Sequence, residues 1–280
     1  MSDSTLTNPL LRTLRQGGLA ASLIVRLFDG PEIGRIAATA GLDALYVDLE
    51  HSCLSLQSAS RICNAAREAG VTPLVRVPSI DAALIGRVLD GGALGIIAPQ
   101  VESAADAARA VACCRHPPRG RRSYAGGQAA LCYRDVPQAE AMAALDASVL
   151  TAVMIESRNA LDAVEAIASV DGLDLLFIGA HDLAADLGLA GQWDHPALLR
   201  ALARIRQACL DAGKALGLGG LAGQPALLRE LAAPPQGCLV STGTDLACLL
   251  GAATQRAAAA HALRDPAGAS PSSSRTAARR

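Results

Sequence analysis

The chain has 280 residues, of which 51% are hydrophobic and 2% aromatic, and its formal net charge is −1. This near-neutral balance gives no reason to expect nucleic acid or an anionic membrane as a partner. A chain of this length can bury a large core, and with so few aromatic rings that core has to be built from Ala, Leu, Val and Ile. Such a composition favours Ala-rich helices that cover aliphatic strands.

Cysteine usage and apolar patterning bear on the compartment. The eight cysteines are scattered, and no two have the Cys-x-x-Cys spacing of a zinc or redox motif. We interpret them as small apolar fillers in a reducing environment. The first residues lack the basic and then apolar order of a signal peptide, and no apolar run approaches the length of a membrane span. The sequence therefore predicts a cytoplasmic location.

Short apolar runs alternate with amphipathic segments along most of the chain. An N-terminal helix is predicted over 8–15, with Asn8 as its cap and Pro9 in its first turn. Eight strands are predicted at 19–27, 44–51, 72–77, 93–99, 149–156, 173–179, 215–219 and 237–241. The helices between and after them are predicted at 31–40, 56–69, 81–90, 103–115, 159–169, 196–212, 225–231 and 244–263. The long interval between 115 and 149 is interpreted as a functional loop or a partner contact.

Eight strand and helix pairs in about 250 residues predict an α/β fold of the closed (β/α)8 barrel type. A doubly wound open sheet is the alternative, but no strand is followed by the Gly-x-Gly-x-x-Gly dinucleotide motif. We predict a single barrel domain over residues 1–264. Residues 265–280 are rich in Ser, Pro, Ala and Arg without apolar periodicity, and we predict that they are disordered.

Charged and polar side chains follow several predicted strands. The second strand ends in Asp48, Glu50 and His51, and the third ends in Arg76. The fifth ends in Glu156, and the sixth leads into Gly179-Ala180-His181-Asp182. In a parallel barrel the carboxyl ends of all strands meet at one face, where the chemistry is placed. The sequence therefore predicts an active site at this face.

The two acidic residues from adjacent strands, Glu156 and Asp182, predict a metal site. Two carboxylates that leave other coordination positions open favour a hard divalent ion such as Mg²⁺ or Mn²⁺ over a structural zinc. Such an ion can act as a Lewis acid on a carbonyl oxygen. Backbone N–H groups at the helix start around His181 and Asp182 are suited to a substrate carboxylate.

The remaining strand-end groups suit enolisation of a 2-oxo acid. Arg76 supplies a fixed cation for an oxyanion that forms nearby. Asp48 can orient His51, so that the imidazole removes a proton either directly or through a water on the metal. The resulting enolate can add to an aldehyde or be released from one.

Each of these residues also has a structural interpretation. Asp48 and His51 could be a strand-end cap and a surface histidine. Arg76 could be an ion-pair partner of Glu50. Asp182 could cap the helix that it begins, a role that is compatible with metal binding.

The same residues resemble the signatures of the HpcH/HpaI aldolase/citrate lyase family, the metal-dependent class II pyruvate aldolases. The resemblance runs in the right order from residue 8 to about residue 263. It is carried by Asp48-Leu49-Glu50-His51, Pro73-Leu74-Val75-Arg76, Pro117-Pro118-Arg119-Gly120-Arg121-Arg122, Ile155-Glu156 and Gly179-Ala180-His181-Asp182-Leu183.

The resemblance implies a (β/α)8 barrel whose long last helix packs on a neighbouring subunit, usually in a trimer of dimers. It implies Mg²⁺, Mn²⁺ or Co²⁺ held at Glu156 and Asp182, with Arg76 at the pyruvate keto oxygen. It also implies that Asp48 and His51 form an acid–base dyad, and that Gly179, His181 and Asp182 contact the substrate. The expected substrates are 4-hydroxy-2-oxo acids, formed from pyruvate and an aldehyde.

The chain departs from the family pattern at positions that bear on substrate choice. Ala180 lies where members often carry Pro, and His181 after it would put an imidazole beside the substrate carboxylate. Met154 replaces a common Gln, and Arg26 lies where members tend to carry small or apolar residues. We predict a divalent-metal-dependent aldolase. The alternatives are an acyl-CoA lyase of the citrate lyase β type and a non-catalytic barrel that binds a 2-oxo acid.

Overall fold

A computed structural model of the chain describes residues 6–263. Within these residues the chain divides into two compact units, one that ends at Asp245 and one that begins at Leu246. The predicted tail at 265–280 lies outside the described residues, and the predicted domain boundary at 264 stays a prediction. Among the described helices, none is long and apolar enough to cross a membrane.

The first unit contains a closed barrel of eight parallel strands in sequential order, in which β8 pairs back onto β1. This arrangement confirms the predicted (β/α)8 fold. The strands are β1 (Leu19–Val25), β2 (Ala44–Asp48), β3 (Thr72–Arg76), β4 (Gly95–Ala98), β5 (Leu150–Ile155), β6 (Leu175–Gly179), β7 (Ala215–Gly219) and β8 (Cys238–Thr244).

Twelve α-helices lie within residues 6–263. They are α1 (Pro9–Arg15), α2 (Glu32–Thr39), α3 (Leu56–Glu68), α4 (Ala82–Asp90), α5 (Ala104–Cys114), α6 (Gln138–Ser148), α7 (Arg158–Asp162), α8 (Val164–Ala168), α9 (Ala180–Asp186), α10 (Pro196–Asp211), α11 (Pro225–Leu231) and α12 (Asp245–Ala262). Most of them match the predicted segments to within two residues at each end.

Two helices were not predicted. The interval between α5 and β5, interpreted as a long loop, contains α6, whose apolar residues show little clustering on one helical face. Helix α9 begins directly where β6 ends, so that no polar linker separates the two elements in the sequence. Hydrophobic periodicity, the main sequence signal for a helix, is weak in both places.

Helix α1 closes the amino-terminal end of the barrel. The side chain of Asn8 accepts a hydrogen bond from the Leu11 N–H at 3.1 Å, which confirms the predicted cap. The Asn8 amide donates to the carbonyl oxygens of Leu94 at 3.0 Å and Ser148 at 2.8 Å, and so joins the helix to β4 and β5. Leu10, Leu11 and Leu14 are buried beneath the barrel interior.

The interior of the barrel is filled by inward-pointing side chains, which alternate with side chains that face the helices. Among the inward positions are Tyr46, Leu74, Met154 and Phe177, which belong to one buried cluster. Two residues further along each of these strands, the next inward positions are Asp48, Arg76, Glu156 and Gly179. The alternation therefore directs the predicted site residues to the carboxyl-terminal mouth.

We expect Gly217→Ala to destabilise the barrel by about 1–3 kcal/mol, a typical cost of overpacking a core. A Cβ atom at residue 217 would lie 2.2 Å from Cδ2 of the Phe177 ring. Urea denaturation at fixed protein concentration measures the change. Gly223→Ala is the matched control, because a Cβ there meets no atom within 4 Å. Equal midpoints for the two variants would contradict the packing described.

Candidate active site

A buried carboxylate at the end of β2 organises the mouth of the barrel. Asp48 is fully buried and forms a two-pronged ion pair with Arg76, with Nε to Oδ1 at 2.9 Å and Nη2 to Oδ2 at 2.6 Å. A second guanidinium, that of Arg26, donates from Nε to Oδ2 at 2.6 Å. Burial by itself raises the pKa of Asp48, but the donors, led by Arg76, outweigh it and hold the pKa below its usual value. Asp48 is therefore a fixed anion.

Arg76 is held from several sides. Its Nη1 lies 3.0 Å from Oε2 of Glu50 and 3.6 Å from the sulfur of Met154. Its guanidinium carbon lies 5.4 Å from the centre of the Tyr46 ring. Burial by itself lowers the pKa of Arg76. The hydrogen bonds to Asp48 and the surrounding negative charges raise it by more than burial lowers it, so the pKa lies above its usual value. The side chain is a buried, immobile cation at the base of the mouth.

Arg76 therefore does form the ion pair with Glu50 that the sequence offered as a structural alternative. This contact is compatible with the predicted role at an oxyanion, because a guanidinium carries five N–H donors. The role itself stays a prediction.

His51 contacts Asp48 through its backbone. The His51 N–H donates to Oδ1 of Asp48 at 3.2 Å, and in the described part of the chain the Asp48 carboxylate is not bonded to the imidazole. The ring is exposed, and its Nε2 lies 3.8 Å from Oε2 of Glu50. This distance is too long for a hydrogen bond, but it places a carboxylate next to the imidazole. The predicted Asp48–His51 dyad thus stays a prediction.

Glu156 follows β5 and lies at the carboxyl-terminal mouth of the barrel. Its Oε1 accepts a hydrogen bond from the Gln100 backbone N–H at 2.7 Å. Burial, joined by the negative charges of Glu50 and Asp182, raises the pKa of Glu156 against the opposing effect of this hydrogen bond. A Cβ atom at Gly179 would lie 2.8 Å from Oε2 of Glu156, so this glycine leaves space for the carboxylate.

A cleft of about 790 Å³ opens at this end of the barrel. Glu156 and Asp182 both line it, together with Glu50, His51, Gln100, Glu102, Ser157, Ala185 and Asp186. The structure therefore brings the two predicted metal ligands and the predicted base to one cavity. Asp48 and Arg76 are buried beside Glu50 and do not line it.

His181 is arranged differently from the other predicted site residues. It is not among the residues that line the cleft, and its ring packs edge-on against Trp193 with centroids 5.0 Å apart. Asp182 lies one residue later, in the first turn of α9. The predicted contacts of Gly179 and His181 with a substrate carboxylate stay predictions.

The donor set of the cleft fits a hard divalent cation. Within residues 6–263 no three His, Cys, Asp or Glu side chains are grouped so as to hold a metal ion by themselves. Glu156 and Asp182 supply carboxylate oxygens, the donors that Mg²⁺ and Mn²⁺ prefer, and Mg²⁺ commonly uses one or two carboxylates plus substrate and water. Burial and then the negative charges of Glu50 and Asp182 raise the pKa of Glu156, and a bound cation would offset the repulsion among these carboxylates.

Two residues that position the site were not predicted from the sequence. Gln100, with φ +54°, joins two acidic side chains: its N–H binds Glu156, and its side-chain amide donates to Oε1 of Glu50 at 3.2 Å. Buried Asp245 accepts the N–H groups of three residues after β1, at distances from 2.8 to 3.2 Å, and these residues are Arg26, Leu27 and Phe28. A Gln after Pro and an Asp at a helix start carry no distinctive sequence signal.

Comparisons with known proteins agree with the geometry. Residues 28–235 match the family model described as HpcH/HpaI aldolase/citrate lyase. The chain is 43% identical over 211 residues to a 4-hydroxy-4-methyl-2-oxoglutarate aldolase from Hapsidospora irregularis, covering 74% of this chain and 77% of that protein. It is 38% identical over 221 residues to a hydroxypyruvate/pyruvate aldolase from Paraburkholderia phytofirmans, covering 76% and 83%.

The fold agrees with solved structures as well. The crystal structure of an HpcH/HpaI aldolase from Desulfitobacterium hafniense superposes with a TM-score of 0.82 at 29% identity, covering 93% of this chain and 98% of that one. A family member from Burkholderia cenocepacia superposes with a TM-score of 0.81 at 33% identity, covering 91% and 100%.

Proposed function

Because the chain belongs to the HpcH/HpaI aldolase/citrate lyase family, we propose that it cleaves 4-hydroxy-2-oxo acids into pyruvate and an aldehyde, or forms them from these two compounds. The family and the aldolase class predicted from the sequence are confirmed, since the named relatives are aldolases. The observation that carries the proposal is the single cleft shared by Glu156, Asp182 and His51, with the Asp48–Arg76 ion pair beside it.

We propose that Mg²⁺, Mn²⁺ or Co²⁺ binds at Glu156 and Asp182. The supporting observations are the two carboxylates in one cleft and the accumulation of negative charge around Glu156. When bound, the ion would supply Lewis-acid polarisation of the 2-oxo acid. Glu156 and Asp182 would hold and orient it, while Gln100 fixes the Glu156 carboxylate from the backbone.

Arg76 would stabilise the negative charge that develops on the keto oxygen of pyruvate. Its guanidinium is already oriented by Asp48 and Glu50, so no reorganisation is needed when the charge forms. Burial beside Met154 and Tyr46 excludes water and strengthens this interaction.

His51 would take a proton from the methyl carbon of pyruvate, with Glu50 as the carboxylate beside its ring. We expect His51→Gln to reduce the rate of pyruvate proton exchange by about 100- to 10,000-fold, the usual contribution of a general base. Loss of the proton signal of the methyl group in deuterated water, followed by NMR, measures that rate. His195→Gln is the control, because His195 caps α10. Equal rates for both variants would exclude His51 as the base.

The proposed function is tested by incubating the protein with pyruvate in deuterated water, with each divalent ion and with a chelator. Exchange that depends on the ion and stops with the chelator is the expected result. It would also exclude a non-catalytic barrel. Absence of exchange with any divalent ion would overturn the proposal. A panel of aldehydes and 2-oxo acids offered with pyruvate then identifies the acceptor.

We further propose that the protein is a homo-oligomer, a trimer of dimers, in a reducing compartment such as the cytoplasm. Within α12, Leu246, Leu249 and Leu250 are spaced three and four residues apart, so they share one helical face that suits packing on another copy. The eight cysteines are unpaired, in keeping with a reducing compartment. Light scattering should give a mass several times the 28.5 kDa of one chain, and a monomeric mass would contradict the oligomer.

A further inference from the structure

Arg26 places a second guanidinium beside the one assigned to the keto oxygen. Its Nε donates to Oδ2 of Asp48 at 2.6 Å, and the Nη2 of Arg76 donates to the same oxygen, also at 2.6 Å. The backbone N–H of Arg26 is held by both oxygens of Asp245, at 3.1 and 3.2 Å. The residue is thus fixed at its backbone and at its Nε.

The terminal edge of the Arg26 guanidinium remains available. Its side chain is 35% exposed, whereas that of Arg76 is 4% exposed. In the described part of the chain the two Nη atoms donate to no residue, and Asp48 is the carboxylate with which Arg26 pairs. A guanidinium fork of this kind matches the geometry of a second carboxylate.

The charge balance at Asp48 points in the same direction. One buried carboxylate faces two guanidinium groups, and Glu50 pairs with Arg76, at 3.0 Å from its Nη1. Arg76 thus pairs with two carboxylates and Arg26 with one, so the positive charge of Arg26 is less fully neutralised. Arg26 follows β1, which is adjacent to β2. Since both guanidinium groups bind Oδ2 of Asp48, Arg26 lies beside Arg76, the group assigned to the keto oxygen.

We propose that Arg26 binds the carboxylate of the acceptor, so that the acceptor is a 2-oxo acid, such as a second pyruvate, in preference to an uncharged aldehyde. This inference rests on the proposed function, because it assumes a pyruvate enolate as the donor. A negatively charged acceptor would otherwise be repelled by the enolate and by the carboxylates of the cleft, and Arg26 offsets that repulsion.

The corresponding reaction balances without a further reactant. C3 of the pyruvate enolate forms a bond to C2 of the second pyruvate, and the C2 carbonyl oxygen takes up a proton to become a tertiary hydroxyl. The product is 4-hydroxy-4-methyl-2-oxoglutarate. In the reverse direction the hydroxyl loses its proton, the C3–C4 bond breaks, and the released enolate is protonated at C3.

The test compares cleavage of two substrates that differ in the acceptor half. 4-Hydroxy-4-methyl-2-oxoglutarate carries a carboxylate there, whereas 4-hydroxy-2-oxovalerate releases acetaldehyde and carries none. In Arg26→Gln we expect kcat/KM to fall about 100-fold for the first and less than about 10-fold for the second, the first value being typical of a lost charged hydrogen bond. Arg26→Lys should recover part of the difference, since it restores the charge without the fork.

Arg109→Gln is the matched control, because Arg109 is an exposed residue on α5 that pairs with Asp106. It should leave both substrates unchanged. An equal fall for both substrates in Arg26→Gln would overturn the inference and leave Arg26 as a support for Asp48. Failure of the proposed function is recognised separately, as the absence of pyruvate exchange in the unmodified protein.

Discussion

Glu156→Gln and Asp182→Asn should each reduce cation-dependent pyruvate exchange by about 1,000-fold or more. Both substitutions preserve the size of the side chain and remove its charge. Glu156 after β5 and Asp182 in the first turn of α9, which follows the adjacent strand β6, contribute oxygen donors to one cleft, so either substitution removes one of the two proposed anionic ligands. A factor of 1,000 corresponds to about 4 kcal/mol, in keeping with the several kcal/mol attributed to Lewis-acid stabilisation.

The control for these variants is Glu165→Gln. Glu165 is an exposed carboxylate on α8 whose partner is Arg204 at 2.8 Å. This substitution tests whether the loss of a negative charge outside the cleft also slows exchange. Circular dichroism of each variant reports whether the barrel is intact. Full exchange by a folded Glu156→Gln protein would show that this carboxylate does not serve the reaction.

Asp48→Asn should lower the free energy of unfolding by about 3–5 kcal/mol at neutral pH. The substitution leaves the buried guanidinium of Arg76 with Glu50 alone and removes the shared partner of Arg26. Removal of one member of a buried ion pair has an effect of this size, because the remaining charge is left uncompensated. Urea denaturation at one protein concentration measures it, with Asp106→Asn, which removes a partly exposed pair on α5, as the control.

The effect of Asp48 depends on pH in a defined direction. Its pKa is lower in the folded protein than in the unfolded chain, where it is about 3.9. The carboxylate therefore stabilises the fold fully above about pH 4, and this stabilisation is lost as the pH falls through the folded value. The difference in stability between the unmodified protein and Asp48→Asn should shrink in acid. A constant difference down to pH 2 would contradict the ion-pair account.

The strands were predictable because each one combines two clear signals. Segments such as β2 and β6 are short, apolar and β-branched or aromatic, and they end at charged or glycine residues. The alternation of inward and outward side chains then decides which residues reach the mouth. Asp48, Arg76 and Glu156 follow from this rule, because each lies two residues beyond an inward core position.

The partners of these residues were not predictable in the same way. That Asp48 orients the His51 ring stays a prediction; its carboxylate binds the side chains of Arg76 and Arg26, two contacts that the sequence did not predict. Side-chain pairing across three strands depends on barrel closure and rotamers, which strand periodicity does not encode. Gln100 contributes its backbone N–H, a group that every residue except proline possesses, so its role leaves no trace in the sequence.

In the proposed site Glu156 and Asp182 together hold one divalent cation, and direct titration with Mn²⁺, followed by electron paramagnetic resonance, tests this independently of turnover. We expect one Mn²⁺ per chain in the unmodified protein. We expect the affinity for Mn²⁺ to be about 100-fold weaker in Glu156→Gln and in Asp182→Asn, because each loses the charge of one ligand. It should be unchanged in Glu165→Gln, which leaves both ligands intact. Unchanged Mn²⁺ affinity in both ligand variants would contradict the claim.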